Sequence, residues 1–328
     1  MNEVLPLASE IESAARAVYG AMRPTPQLAW PLLQAALGTE VWVKHENHTP
    51  TGAFKIRGGL VYIDELKRRE PDLAGVISAT RGNHGQSVGF AARRHDLAAT
   101  IVVPRGNSTE KNAAMRALGV RLIEHGGEFQ DAREHAAVLA REHGLHMIPS
   151  CHRDLVRGVA TYWMEFFTAC ADLDVVFVPV GQGSGICAAI AAREALGMRT
   201  RIVGVVSAHA LAYKLSYERG RITESPVGTV LADGMACRVP DAAAFDAIQR
   251  HVDDMVAVTD AEVARAMRLY FCATHNVAEG AGAAALAAAM QQQPRLAGLR
   301  VGVTLSGGNV DQDSFARVLG EETESLVA

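Results

Sequence analysis

Short apolar stretches and amphipathic segments alternate regularly between residues 75 and 150. The apolar stretches predict four buried strands, at residues 76–79, 99–103, 120–123 and 145–148. The amphipathic segments predict helices that begin after Gly85, at a cap formed by Ser108 or Thr109, and at Phe129. Strands that alternate with helices of this length are typical of a parallel sheet with both faces covered.

The same alternation continues on either side of this segment. Before it, the pattern predicts helices at residues 8–21 and 56–67 and a strand at 40–44. After it, the predicted strands are 175–180, 201–206 and 300–305, and the predicted helices are 186–196, 208–218, 261–274 and 276–290. We therefore predict an α/β fold of two open, twisted parallel-sheet domains, the smaller inserted in the larger. The small domain is residues 75–150, and the large domain is residues 1–74 together with 151–328.

Composition narrows the class of protein. The chain has 328 residues, of which 49% are hydrophobic and 21% charged, as in a globular protein with a large core. A net charge of -4 offers no basic surface for nucleic acid or acidic membranes, and no apolar run is long enough to span a membrane. The N-terminus does not resemble a signal peptide, and the cysteines form no CxxC pair. We expect a cytoplasmic protein that binds neither nucleic acid nor membrane.

Lys55 lies in a position that suits a reactive amine. It follows an apolar strand and the glycine turn at Gly52, and it precedes a predicted helix. A lysine amine becomes nucleophilic when burial lowers its pKa, and it then forms Schiff bases with pyridoxal 5'-phosphate (PLP) or with carbonyl substrates. Considered alone, Lys55 fits a solvated surface lysine better. Its interpretation therefore depends on other segments of the chain.

Three further loops follow predicted strands, at the strand ends where open α/β sheets bind ligands. Gly181–Gly185 leads into a helix, so it fits a phosphate site or a tight turn equally well. Asn83–Gln86 opens another helix and fits either a carboxylate site or a turn in which Asn83 is the N-cap. Ser306–Asn309 fits a ligand site or an ordinary loop.

Together these segments resemble the serine/threonine dehydratase family of PLP enzymes, which share the tryptophan synthase β-like fold (fold type II). The resemblance covers about residues 20 to 318. The matching segments, in the family's order, are the lysine motif Lys44-x-Glu46-x-x-x-Pro50 to Gly58, the asparagine loop Gly82–Gln86, the phosphate loop Val178–Gly185 and the pyridine-nitrogen motif Ser306–Asp311. Four motifs in the family's order make the resemblance specific, although no single motif is specific by itself.

The resemblance implies a role for each motif residue. Lys55 would carry the cofactor as a Schiff base and act as the base on the substrate α-proton, with Phe54 beside the ring. Asn83 would bind the 3-hydroxyl of PLP, and Ser306 would face the pyridine nitrogen and leave it unprotonated. The residues that would hold the phosphate are Gly181, Gln182, Gly183, Ser184 and Gly185. The residues that would bind the substrate are Thr80, Arg81, Gly82, Asn83 and His84.

The chain departs from the family at positions that bear on function. Arg81 stands where serine racemase has a serine acid/base, and an arginine cannot be deprotonated in a protein. Racemisation is therefore disfavoured, and Arg81 either recruits an anionic or aromatic part of the substrate or points to solvent. The family's metal-binding carboxylates are replaced by Val206, Ala210 and Ala212, so we expect no metal. Glu279 fits a residue near the ring or a polar helix cap.

We predict a PLP-dependent dehydratase (ammonia-lyase) that converts a β-hydroxy amino acid into a 2-oxo acid and ammonia by α,β-elimination. Threonine and serine are the default substrates, and Arg81 leaves room for 3-phenylserine or 3-hydroxyaspartate. The alternatives are an amino acid racemase or β-replacement synthase of the same fold, or a PLP-binding protein without turnover. The resemblance implies a homodimer. Because the chain ends soon after its last motif, we expect no feedback regulation by isoleucine.

Overall fold

The computed structural model describes residues 4–320. Its helices, labelled α1 to α13 in chain order, are Ala8–Tyr19, Pro31–Leu37, Lys55–Arg69, Asn83–Arg93, Thr109–Ala117, Phe129–His143, Arg153–Ala169, Ser184–Ala195, Ala212–Arg219, Ala242–His251, Asp260–Thr274, Gly280–Gln291 and Gln312–Gly320. Its strands, labelled β1 to β10, are Gln27–Ala29, Glu40–His45, Gly75–Ala79, Ala98–Val103, Arg121–Glu124, His146–Met147, Val175–Pro179, Arg201–Ser207, Asp254–Val258 and Arg300–Leu305. Within the described range, no helix is both long enough and apolar enough to cross a membrane.

The strands form two sheets. One has six strands in the order β1-β2-β10-β7-β8-β9, and the other has four in the order β5-β4-β3-β6. Every neighbouring pair is parallel except β1 with β2, in which the three-residue edge strand β1 runs antiparallel. The predicted α/β class with two parallel sheets is confirmed. The four-stranded sheet lies within residues 75–147, whereas the division of the chain into domains at 75 and 150 stays a prediction.

The local pattern misplaces the start of one helix and leaves several others unpredicted, among them α7 and α10. The prediction that a helix begins at residue 276 is wrong, because α12 begins at Gly280. Glu279 is extended, and its backbone N–H donates a hydrogen bond to the Gly307 carbonyl oxygen at 3.1 Å. No pattern described above predicts α7, where glycine, β-branched and aromatic residues give low intrinsic helix propensity. Packing of its buried face stabilises that helix instead.

A buried cluster of charged side chains joins β2, α3 and α7. The fully buried guanidinium of Arg57 forms ion pairs with Glu46 at 2.7 Å and with Glu165 at 2.6 Å. Nζ of Lys44 lies 2.5 Å from the same Glu165 carboxylate and donates to the side chain of Gln27. The two cations and two carboxylates balance in charge and are hydrogen-bonded. Such a cluster tolerates burial, whereas removing one member leaves another charge uncompensated.

Close helix packing reinforces this cluster. Gly58 on α3 and Gly158 on α7 bring the two helix backbones into contact. A Cβ at Gly158 would collide with the carbonyl oxygen of Arg57, and one at Gly58 would collide with that of Leu155. Lys55 is the first residue of α3, two positions before Arg57. The ion cluster and the glycine contact therefore fix the end of the helix that carries Lys55.

The variant Glu46→Leu tests this cluster, because it removes one of the two carboxylates paired with Arg57. We expect it to lower the free energy of unfolding by about 3–5 kcal/mol. The control is Arg68→Ala on the same helix, which removes an exposed pair with Asp64 and should change stability by less than about 1 kcal/mol. Urea unfolding followed by circular dichroism measures both. Equal losses in the two variants would contradict a special role for the buried cluster.

Candidate active site

A cavity opens where β3, β7 and β10 end. Every residue that the motifs assign to the cofactor or the substrate lines this cavity. These residues are Phe54, Lys55, Thr80, Arg81, Gly82, Asn83, His84, Gly181, Gln182, Gly183, Ser184, Gly185 and Ser306. They come from four segments that are far apart in sequence, so only the tertiary structure brings them together. Their individual roles stay predictions.

Lys55 meets the requirements of a reactive amine. Its Nζ donates a hydrogen bond to Oγ of Ser184 at 2.8 Å and lies 4.9 Å from the ring centroid of Phe54. Burial lowers the pKa of Lys55 to about 8. The neighbouring Cys151 offers no compensating charge, because burial raises the pKa of its thiol to about 12. The neutral, nucleophilic fraction of the amine at pH 7 is therefore larger than for an exposed lysine.

The loop between β7 and α8 presents unused hydrogen-bond donors. None of the backbone N–H groups of residues 181–185 donates a hydrogen bond within the described chain. Gly183 has φ 99°, a left-handed conformation that favours glycine. A Cβ at Gly181 would collide with the carbonyl oxygen of Gly234. These donors lie at a helix start, where the helix dipole also favours an anion, so the loop fits the phosphate of PLP.

The interpretation of Asn83 as an N-cap is wrong. Asn83 is the first residue of α4, and Gly82 occupies the cap position. The Asn83 side-chain amide instead donates to Oε1 of Glu279 at 2.5 Å and accepts from Nδ2 of Asn309 at 2.8 Å. Within residues 4–320 the backbone N–H groups of Asn83 and His84 have no acceptor, so this helix start fits a substrate carboxylate. Burial lowers the pKa of His84 to about 3, which keeps its ring neutral.

The hydroxyl of Ser306 is only weakly hydrogen-bonded and can therefore bind a ligand. Among the described residues, its Oγ has one hydrogen-bond partner, the carbonyl oxygen of Ala281 at a long distance of 3.4 Å. The loop is fixed by its backbone, since the N–H of Phe54 donates to the Ser306 carbonyl oxygen at 3.0 Å. A neutral hydroxyl in this position suits a ring nitrogen that acts as a hydrogen-bond acceptor. With the unused donors of residues 181–185 and the amine of Lys55, the cavity fits PLP.

Lys111 is a cavity residue that the sequence motifs do not indicate. Its Nζ lies 2.8 Å from Asp233 and 3.6 Å from Glu279. Its aliphatic part packs over Gly82, where an added Cβ would meet it. Ser108 is the cap of α5, so Lys111 lies in the first turn of that helix. A cation there opposes the helix dipole, and this local signal in the sequence could have indicated Lys111.

Glu279 lies in the cavity wall and does not form a side-chain cap on α12. Its carboxyl is buried, and Oε2 makes no hydrogen bond within the described residues. Burial raises the pKa of Glu279 to about 7, although the nearby Lys111 acts to lower it. The carboxyl therefore holds a proton below about pH 7, unlike an exposed glutamate.

Comparison with known proteins agrees with this site. The family model of pyridoxal-phosphate dependent enzymes matches residues 18–307. The chain belongs to this family. It is 32% identical to an L-threonine ammonia-lyase of Thermotoga maritima, over 95% of this chain and 78% of the relative. It is also 32% identical to an L-threo-3-hydroxyaspartate ammonia-lyase of Pseudomonas sp., over 94% of this chain and 97% of the relative.

Solved structures of the family show the same fold. The processed form of threonine deaminase isoform 2 from Solanum lycopersicum superposes with a TM-score of 0.87 at 28% identity. That match covers 97% of this chain and 94% of the deaminase. The predicted cofactor, PLP, and the predicted fold type II are thereby confirmed. The chain is a PLP-dependent lyase of the dehydratase (ammonia-lyase) type, as its motifs predicted.

The lowered pKa of Lys55 can be tested in the protein freed of PLP. We expect its amine to titrate near pH 8, so that the neutral fraction rises as the pH passes through that value. Reductive methylation with 13C-formaldehyde followed by NMR titration measures this, and the variant Lys55→Ala identifies the signal. A midpoint above pH 10 would show that burial does not destabilise the ammonium form.

The raised pKa of Glu279 predicts a dependence of stability on pH. Between the ordinary pKa of 4.5 and about 7 the folded protein binds a proton that the unfolded chain does not, so stability falls as the pH rises through this range. The variant Glu279→Gln has an amide at this position, which does not bind or release a proton in this pH range. Its stability relative to the wild type should therefore rise between pH 5 and pH 8, by on the order of 2–3 kcal/mol. Urea unfolding at both pH values gives the comparison, and an unchanged difference would count against the raised pKa.

Proposed function

We propose that this protein eliminates water from a β-hydroxy amino acid and releases a 2-oxo acid and ammonia, with Lys55 as the catalytic base. One observation carries the proposal. The partly neutral amine of Lys55 shares a cavity with two helix starts, α8 and α4, whose N–H groups have no partner in the described chain. One set of donors suits the cofactor phosphate and the other suits the substrate carboxylate.

When bound, PLP draws electrons away from the α-carbon of the attached amino acid and thereby acidifies its α-proton. Lys55 accepts this proton at Nζ. Asn83 is held by Glu279 and Asn309, so its amide keeps one orientation towards the cavity. The N–H groups at the start of α4 hold the substrate carboxylate, and so place the α-proton for transfer. Geometry of this kind accounts for much of the rate enhancement in such sites.

The reaction balances overall, because the water lost in the elimination equals the water used in the later hydrolysis. The electron pair of the Cα–H bond forms the Cα–Cβ double bond, and the Cβ–O bond breaks. The hydroxyl leaves as water with the proton that Lys55 accepted from the α-carbon. The unsaturated amine that is released rearranges to an imine, which water hydrolyses to the 2-oxo acid and ammonia. No residue outside the cavity is needed for this sequence.

Elimination is favoured over racemisation by the other groups that line the cavity. Racemisation requires a second acid/base on the face opposite Lys55, and Arg81 cannot be deprotonated to serve as one. His84 is a weak base, because burial lowers its pKa to about 3. Ser306 would donate to the ring nitrogen of PLP and leave it neutral, and a neutral ring would stabilise a carbanion less than a protonated one. Rapid loss of the hydroxyl suits such a weak electron sink.

An assay of the holoenzyme tests the proposal. The protein loaded with PLP is offered threonine, serine, 3-hydroxyaspartate and 3-phenylserine while the 2-oxo acid is measured. We expect turnover of at least one substrate, and a loss of at least about 10³-fold in kcat for Lys55→Ala because the base is removed. The matched control, Lys67→Ala on the same helix, should keep its activity.

Other outcomes identify the alternatives. Release of the D-amino acid from an L-amino acid without 2-oxo acid would favour a racemase. Formation of a new β-substituted product from an added nucleophile would favour a β-replacement synthase. PLP bound through Lys55 with no product from any substrate would indicate a PLP-binding protein without turnover.

The assembly and location are part of the same proposal. A homodimer in the cytoplasm is supported by the resemblance to dimeric dehydratases and by cysteines without a disulfide pattern. Light scattering of the purified protein decides the oligomeric state.

A further inference from the structure

We infer that Arg81 selects substrates whose side chain carries an anionic group, so that the preferred class is the β-hydroxy amino dicarboxylates. This inference rests on the proposed dehydratase function and restricts its substrate. Of the two interpretations that the sequence left open, a residue pointing to solvent and one facing the substrate, the structure favours the second. Arg81 lines the cavity that contains Lys55.

The guanidinium of Arg81 has no counter-ion within the described residues. No ion pair or side-chain hydrogen bond joins it to any other residue in the range 4–320. Its Nε is buried and without a partner, although the side chain as a whole is half-buried. A buried N–H of a cation costs free energy when it has no acceptor. An acceptor supplied by the substrate removes that cost.

The other charged groups of the cavity are already engaged. Lys111 pairs with Asp233 at 2.8 Å and lies 3.6 Å from Glu279, whose raised pKa of about 7 leaves it partly protonated at neutral pH. Lys55 donates to Ser184 and is the attachment point of the cofactor. The donors of residues 181–185 would meet the cofactor phosphate. Arg81 is therefore a cavity cation to which no described side chain is joined by an ion pair or hydrogen bond.

The guanidinium of Arg81 suits a carboxylate better than a phenyl group. Arg81 lies in a wall shared with a second cavity, whose lining beyond the wall includes polar Asn107, Ser108 and Thr109, acidic Asp311 and apolar Val230 and Val310. A carboxylate accepts from the fork of guanidinium N–H groups in a bidentate manner.

A comparison of substrates in the holoenzyme tests the inference. The wild type should show a higher kcat/KM for 3-hydroxyaspartate than for threonine or 3-phenylserine. Arg81→Gln removes the charge and should lower kcat/KM for 3-hydroxyaspartate by about 10- to 100-fold, the range of a charge-assisted hydrogen bond. It should lower kcat/KM for threonine by a clearly smaller factor, because threonine has no side-chain anion. Arg81→Lys keeps the charge without the fork and should fall between the wild type and the glutamine variant.

The control distinguishes a direct contact between Arg81 and the substrate from a general effect of positive charge near the cavity. Arg105 is exposed and lines neither cavity, although it neighbours Gly106 in the wall of the second one. Arg105→Gln removes the same charge and should leave the ranking of substrates unchanged. An equal fall for threonine and 3-hydroxyaspartate in Arg81→Gln would overturn the inference, because it would assign Arg81 to the α-carboxylate or to structure.

A binding measurement keeps the test independent of turnover. Calorimetry of the holoenzyme with succinate and with butyrate compares a dicarboxylate with a monocarboxylate of the same chain length. We expect the wild type to bind succinate more tightly, and Arg81→Gln to lose most of that preference. If no substrate is turned over but this preference is present, the proposed reaction is wrong while the anion site at Arg81 stands. If butyrate binds as well as succinate to the wild type, the anion site is wrong.

Discussion

The buried ion cluster around Arg57 is the interaction on which the active site depends. It joins β2, α3 and α7 through the two carboxylates of Glu46 and Glu165. Lys55 begins α3, so the cluster and the glycine contact with α7 fix the position of the reactive amine. Three members of the cluster, Lys44, Glu46 and Arg57, belong to the lysine motif, yet none of them lines the cavity. The motif thus combines residues of the site with residues that hold it in place.

The chemistry of the cavity follows from what the fold leaves unpaired. Parallel strands end at one edge, and the helices that follow them present N–H groups that no carbonyl in the described chain accepts. Burial acts on the side chains between those helices, lowering the pKa of Lys55 and raising that of Glu279. The same low-dielectric environment strengthens the attraction between the unpaired charge of Arg81 and an anion. Anion-binding backbone, a partly neutral amine and an unbalanced cation together describe a site for an amino acid attached to PLP.

Motif order let the sequence indicate the family where no single motif could. Lys55, the loop 181–185 and Ser306 each had an ordinary interpretation, and the structure places all three in one cavity. Lys111 could not be found in this way, because its role depends on Asp233 and Glu279, which are remote in sequence. For Asn83 the local rule gave the wrong answer, since a cap and a side-chain bridge to Glu279 have the same local signature.

The sequence by itself determined the α/β class, the strands at the centre of each sheet, the cofactor and the reaction type. The fold class and the strands follow from hydrophobic periodicity, which is encoded within a few neighbouring residues. The cofactor and the reaction type follow from the resemblance to the dehydratase family, which four short motifs carry through their order in the chain. Only the tertiary structure decided the start of α12, the existence of α7 and the partners of Asn83. It also decided that the buried Nε of Arg81 has no hydrogen-bond partner in the described chain. Each of these depends on contacts between residues distant in the chain. Burial and electrostatic balance arise from such contacts and have no local pattern.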